Sequence, residues 1–211
     1  MYNASIYVSL LLIIFSSLYY VYYAWQGKTK PVPTTWILLL VTMVLTLFFA
    51  MKGSGGIKNW TEYIAIIYAV INVGIILPGV IATNIRNGTL KIAFDRFQIG
   101  CLYAAGVVVI VWYFTNQLLL SYLLIQSIAL IAYIATAQRL MKVETTTEPM
   151  LYWIGAFLAN LIAAYPALVK WNIYAWIYLV RAIPSVFFII YLIWRIKNRM
   201  KYANGQIRKL S

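Results

Sequence analysis

The sequence predicts an all-α transmembrane protein, a seven-helix bundle, on three observations. Of 211 residues, 64% are hydrophobic and only 10% charged, far from the roughly one-quarter charged content of a soluble domain. Seven apolar runs, each long enough for the about 20 residues that a bilayer crossing needs, account for nearly the whole chain. None alternates like a barrel strand, and backbone groups in hydrocarbon must be satisfied within their own segment, so the runs are helices.

Charges and turn residues place the spans near residues 4–25, 34–51, 61–83, 97–115, 118–137, 150–169 and 173–194. The first run, Ile6 to Trp25, has no basic segment before it and no small-residue cleavage site after it, so it reads as a retained span and not as a signal peptide. Of the 17 Lys and Arg, thirteen fall on one side, from Lys28 and Lys30 through Arg86, Lys91, Arg96, Arg139 and Lys142 to the basic tail. Lys52, Lys58 and Lys170 fall on the other side, and Arg181 lies inside a span. Cytoplasmic loops collect Lys and Arg, so the bias predicts a multi-pass protein of the cell (inner or plasma) membrane with its N-terminus outside and its C-terminus cytoplasmic. Tryptophan prefers membrane interfaces, and the eight Trp fall at span ends: Trp25, Trp36, Trp153 and Trp194 at the basic side, Trp60, Trp112, Trp171 and Trp176 at the other.

The formal net charge of +13 would raise nucleic-acid binding in a soluble protein, but here the basic residues lie between apolar runs, where topology accounts for them. The partners expected are the lipid bilayer and a small-molecule solute, with no nucleic acid, and a homo-oligomer is left open. Cys101 is the one cysteine and there is no histidine, so neither a disulfide framework nor an ordinary zinc site is available, and no cofactor is expected. Gly53-Ser54-Gly55-Gly56 lacks the Gly-Lys-Ser/Thr continuation of a phosphate loop and reads as a flexible turn.

An internal repeat organises the chain. After the first span the sequence runs Lys28-Thr29-Lys30-Pro31-Val32-Pro33-Thr34-Thr35-Trp36, and after the fifth Thr146-Thr147-Glu148-Pro149-Met150-Leu151-Tyr152-Trp153. Each is a threonine-rich polar loop, a proline, and then a tryptophan that opens the next helix. Two three-helix units can share one orientation only if an odd span joins them, which makes the fourth span a connector and the units parallel repeats. The expected division is 1–83 for the first repeat, 84–117 for the inner linker and connector helix, 118–194 for the second repeat, and 195–211 for a basic tail against an anionic inner leaflet.

At these residues the chain resembles the three-plus-one-plus-three superfamily of SWEET sugar facilitators, PQ-loop proteins and nicotinamide-riboside-type vitamin transporters, over most of its length. It is most similar to small bacterial seven-span proteins of unknown function with a Thr-Lys-Pro loop before a Trp-rich second span and a Thr-Glu loop before the sixth. The Pro-Gln pair of PQ-loop proteins is absent: spans one and five end in Ala24-Trp25-Gln26 and Thr136-Ala137-Gln138. The resemblance also implies acidic residues near Gln98 and Gln126, where this chain has amides.

Polar groups at mid-bilayer depth are costly and usually face a bundle interior or a watery cavity. Asn72, Gln126, Asn160 and Arg181 lie at such depth in spans three, five, six and seven and form the candidate substrate-binding set. The plain alternative for the amides is interhelical hydrogen bonding. For Arg181 it is snorkelling, since the residue sits eight positions, or about 12 Å of helix, from the outer end of its span. Pro78, Pro166 and Pro184 follow Asn72, Asn160 and Arg181 and are the candidate hinges, because interrupted helices at matching places in two repeats often mark a transporter's binding region.

The expected function is facilitative transport of a small polar or anionic solute by alternating access. Proton coupling is disfavoured, because no Asp, Glu or His is expected at mid-depth. The alternative is a non-transporting membrane receptor or assembly partner, whose sign would be a cavity too small or too dry for a solute. An enzyme is not expected, since neither a nucleophile with its base nor a hydrolytic metal set is available.

Overall fold

Seven helices are long and apolar enough to cross a membrane in the computed structural model, which describes residues 1–29, 31–142 and 148–210. They are α1 (Tyr2–Trp25), α2 (Pro33–Gly53), α3 (Ile64–Arg86), α4 (Arg96–Thr115), α5 (Leu118–Lys142), α6 (Met150–Lys170) and α7 (Ile173–Leu210). The expected spans lie within these helices or overlap them closely. A 3₁₀ turn over Ile57–Tyr63 leads into α3, so that span begins earlier than its hydrophobic pattern shows. Nor does α7 stop where the charges begin. Residues 195–210 of the basic tail continue it as helix, since nothing there breaks a helix until Gly205 and isolated Gly is tolerated. Thr146, Thr147, Lys30 and Glu144 of the repeated loops, with Ser211, lie outside the described residues.

Local chemistry sets several ends. Pro33 occupies the first turn of α2, where its missing N–H costs nothing. Asp95 caps α4 reciprocally with Gln98: the Gln98 N–H donates to Asp95 Oδ1 at 2.7 Å and the Asp95 N–H to Gln98 Oε1 at 3.2 Å. Gln98 Nε2 then reaches Thr35 Oγ1 at 3.3 Å, tying the start of α4 to the start of α2. Asn172 caps α7, its Oδ1 accepting from the N–H groups of Tyr174 and Ala175.

The helices fall into two sets of three with α4 outside both. In the first set α3 lies between α1 and α2; in the second, α7 lies between α5 and α6. The sets join along α1 against α6, the most extensive helix pair, and along α2 against α5. Small residues permit the closest approaches: a Cβ added at Gly155 of α6 would meet Ser16 Oγ of α1 at 1.9 Å, and one at Gly79 of α3 would meet Val21 of α1 at 2.5 Å. Phe49, Tyr63, Ile66, Ile76, Tyr122 and Leu179 form the centre of a core that reaches into every helix. The broad exposed apolar surface, Tyr103, Val107 and Ile110 of α4 among it, is what a helix presents to lipid.

Candidate functional site

A cavity of about 80 Å³ lies between the two sets, lined by six of the seven helices; α4 contributes nothing to it. Its lining runs from Ala65, Tyr68 and Tyr178, in the first two turns of α3 and α7, to Thr35, Trp36, Tyr152 and Trp153, in the first turns of α2 and α6. Asn72, Asn160 and Arg181 line it, as the sequence predicts, and so do Trp36, Tyr133, Tyr152, Trp153 and Tyr178. Gln126 does not reach the cavity. It stands behind Arg181, 4% exposed, and holds it.

Arg181 is the only charged residue of the lining. Its side chain is buried, at 9% exposure. The Nε–H donates to Gln126 Oε1 at 2.8 Å, and Gln126 Nε2 in turn donates to Thr46 Oγ1 of α2 at 3.0 Å. The guanidinium carbon sits 5.1 Å from the ring centre of Tyr178 and 5.5 Å from that of Tyr133, within cation–π range of both. The group is thus fixed at one nitrogen and flanked by two rings, while Nη1 is buried without a hydrogen-bond partner on the protein. Snorkelling would take the head group to the span end; this one stays inside, among aromatic rings.

The asparagines differ from that arrangement and from each other. Asn72 closes a neutral set across three helices: Ser17 Oγ donates to its Oδ1 at 2.7 Å, and its Nδ2 donates to Tyr152 Oη at 3.1 Å. Asn160 Nδ2 turns back to the carbonyl of Ala156 at 2.8 Å.

The prolines do not act as expected. Pro78, Pro166 and Pro184 all lie inside continuous helices, and none lines the cavity. Pro78 and Pro184 are exposed on the outer faces of their helices, so the carbonyls they free point away from the site. Pro184 instead borders a second, apolar groove between α5 and α7, where Tyr133 is the residue shared with the cavity.

Sequence reasoning missed the aromatic wall. Trp36 and Trp153 satisfy the interfacial pattern by position, yet both turn inward: Trp36 is 7% exposed and edge-on to Tyr20 at 5.1 Å, and Trp153 packs on Tyr152 at the same separation. Their signal is in the repeat, since each is the fourth residue of its helix. The indole N–H of Trp153, like Arg181 Nη1, is buried without a protein partner.

The opposite end is closed by Asn172 and the start of α7, which meet the first set and, at Tyr122, α5 of their own set. Asn172 Nδ2 donates to Ser54 Oγ at 2.7 Å and to Glu62 Oε2 at 3.1 Å, and Tyr122 Oη donates to the Tyr174 carbonyl at 2.6 Å. Gly53 has no room for a side chain there, since a Cβ would fall 2.0 Å from the Tyr174 ring.

Compared with known protein families, curated proteins and solved structures, the chain matches none. The site is therefore read from its own geometry.

Proposed function

We propose that this multi-pass membrane protein is a facilitative carrier of a small polar or anionic solute, bound between two parallel three-helix repeats that rock about it. The observation that carries the reading is Arg181, a buried cation with a free donor in a cavity that holds no carboxylate. An arginine at helix centre costs about 2.5–3.5 kcal/mol even on the gentler scales, so a solute that completes its hydrogen bonding offsets a standing cost.

Three correspondences support the repeats. The middle helix of each set is the last in sequence, Trp36 and Trp153 are equivalent by position and both face the cavity, and Asn72 and Arg181 are each the ninth residue of their helices. Contacts that close the Asn172 end are what one state of an alternating-access carrier needs. The orientation proposed from the thirteen-to-three bias puts the basic end in the cytoplasm. Cysteines introduced at Ser54 and Lys197 and labelled in intact cells check it; labelling at 197 and not at 54 inverts the protein.

A second reading, a non-transporting receptor or assembly partner, is favoured by the cavity's size. At about 80 Å³ it is well below the roughly 300 Å³ at which ordinary ligand pockets begin. Uptake into proteoliposomes separates the two. A panel of radiolabelled small anions, nucleosides and sugars should include at least one solute that accumulates through the wild-type chain and not through Arg181→Met. A panel-wide absence of uptake, with binding retained, leaves the receptor.

A further inference from the structure

We infer that the cavity is a site for small monovalent oxyanions, short-chain carboxylates being the representative class, and that it discriminates against dianions and neutral solutes. The inference deepens the carrier reading, from which it takes the cavity as the solute's route.

Charge comes first. Among the described residues that line the cavity, Arg181 alone is ionised, and that lining includes no carboxylate. A monoanion brings the closed site to neutrality. A dianion leaves one uncompensated negative charge among aromatic rings, and a neutral solute leaves the arginine uncompensated; both are costly where the dielectric is low.

Geometry narrows the class further. Gln126 holds Nε, so the guanidinium cannot present its Nε edge to a ligand, and Nη1 is the buried nitrogen left without a partner. Trp153 offers a second unpartnered N–H from the lining. Both are donors, and an anion that reaches either one meets it with an acceptor oxygen and adds no hydrogen that would need a new partner. Asn72 spends its carbonyl on Ser17 and one N–H on Tyr152, which leaves a single amide hydrogen for an acceptor oxygen. A space of about 80 Å³ excludes a sugar ring together with its hydration but accommodates an anion of a few heavy atoms. The faces of Tyr133 and Tyr178 already take up part of the guanidinium charge, so the anion meets a held cation and does not have to order one.

The test uses the full chain in phosphatidylcholine nanodiscs, with ionic strength set by sulfate, and reads thermal stabilisation by acetate, propionate, lactate and nitrate against succinate, malonate and glucose. The monoanions should give saturable shifts. Arg181→Met should weaken them about 100-fold, the loss of one charged hydrogen bond with its ion pair. Should that variant fail to fold, Gln126→Glu tests the same point with the shape retained, because an internal carboxylate in van der Waals contact with Arg181 occupies the role of the ligand. Monoanion shifts that persist in both variants, dianion or glucose shifts as large as those of the monoanions, or no monoanion shift at all would each overturn the inference. Failure of the carrier reading has a different signature: monoanions that bind through Arg181 and are not taken up into proteoliposomes. Arg181-independent uptake of a neutral solute does the reverse, removing the oxyanion site and leaving a carrier.

Discussion

Asn72 and Arg181 stand at the same position of two helices, each the ninth residue, and each opens on the same cavity, yet their surroundings are opposite in kind. Asn72 is neutral, and both ends of its amide are used, by Ser17 of α1 and Tyr152 of α6. Arg181 is charged and incompletely satisfied, with Nε on Gln126 and Nη1 on nothing. A neutral set of this kind is a fastening: it joins three helices, and the one amide hydrogen left over carries no charge. An unsaturated buried donor carries a standing cost, and natural structures keep such costs mainly where a ligand removes them. The first half thus appears in the site as scaffold and the second as recognition.

The sharpest way to break this contrast is to remove each residue and read both stability and binding. Asn72→Leu should cost about 1–3 kcal/mol of unfolding free energy by leaving the Tyr152 hydroxyl without its buried partner, while Ser17 keeps its bond to the Ile13 carbonyl. Arg181→Met should leave stability nearly unchanged, since relief of a buried charge offsets the loss of the Gln126 bond, while monoanion affinity falls about 100-fold. Denaturation in lipid nanodiscs and ligand titration of both variants decide it. If Arg181→Met unfolds the protein as Asn72→Leu does, both residues are fastenings and the contrast is gone.

Gln126→Glu sharpens the same comparison from the other side. The amide lies 2.8 Å from Arg181 Nε and supplies no charge. A carboxylate there would neutralise the arginine internally, raise or preserve stability, and lower monoanion affinity by about tenfold or more through direct competition. Titration calorimetry against wild type gives the ratio. A glutamine here satisfies the arginine Nε without neutralising its charge.

The junction between the halves should respond next. Asn172→Ala removes both the cap of α7 and the bridge to Ser54 and Glu62, at an expected cost of about 1–2 kcal/mol. If the halves move against each other at this end, the same variant should also admit an impermeant thiol reagent to a cysteine placed at Asn160, from the end remote from the basic loops, in a Cys101→Ala background. Unchanged labelling from that side would mean that the latch is structural only.

Much of the scaffold was legible because hydrophobic run length answers directly to bilayer thickness, and because proline and the Asp95–Gln98 pair mark their helix ends locally. Arg181, Asn72 and Asn160 could be proposed for the site on desolvation cost alone. Three things could not be read that way. The role of Gln126 depends on a helix 55 residues away in sequence, and depth does not reveal which of two amides faces a cavity and which backs it. Pro78 and Pro184 match in sequence but sit on exposed faces, and Pro166, though buried, stays outside the lining, which proline spacing does not reveal. The tryptophans satisfied the interfacial rule and the cavity at once, because a cavity that extends toward one membrane face has its rim at interface depth.

The smallest effect expected separates that pair of tryptophans. Trp36 and Trp153 hold equivalent places, but only the Trp153 indole N–H is buried without a partner. Trp153→Phe deletes that donor and keeps most of the ring, so no hydrogen bond within the protein is lost and stability should hold to within about 1 kcal/mol. Monoanion affinity should fall about threefold to tenfold, the worth of one neutral-donor hydrogen bond to an anion. Trp36→Phe, made in parallel, changes the aromatic wall at the matching point without removing an orphaned donor, and should leave the affinity within about twofold. Ligand titrations of the two variants under the same conditions give the comparison. Equal losses would assign both tryptophans to packing and leave Arg181 as the single donor of the site; a larger loss at Trp36 would place the anion on the first half of the molecule and reverse the contrast between the two halves.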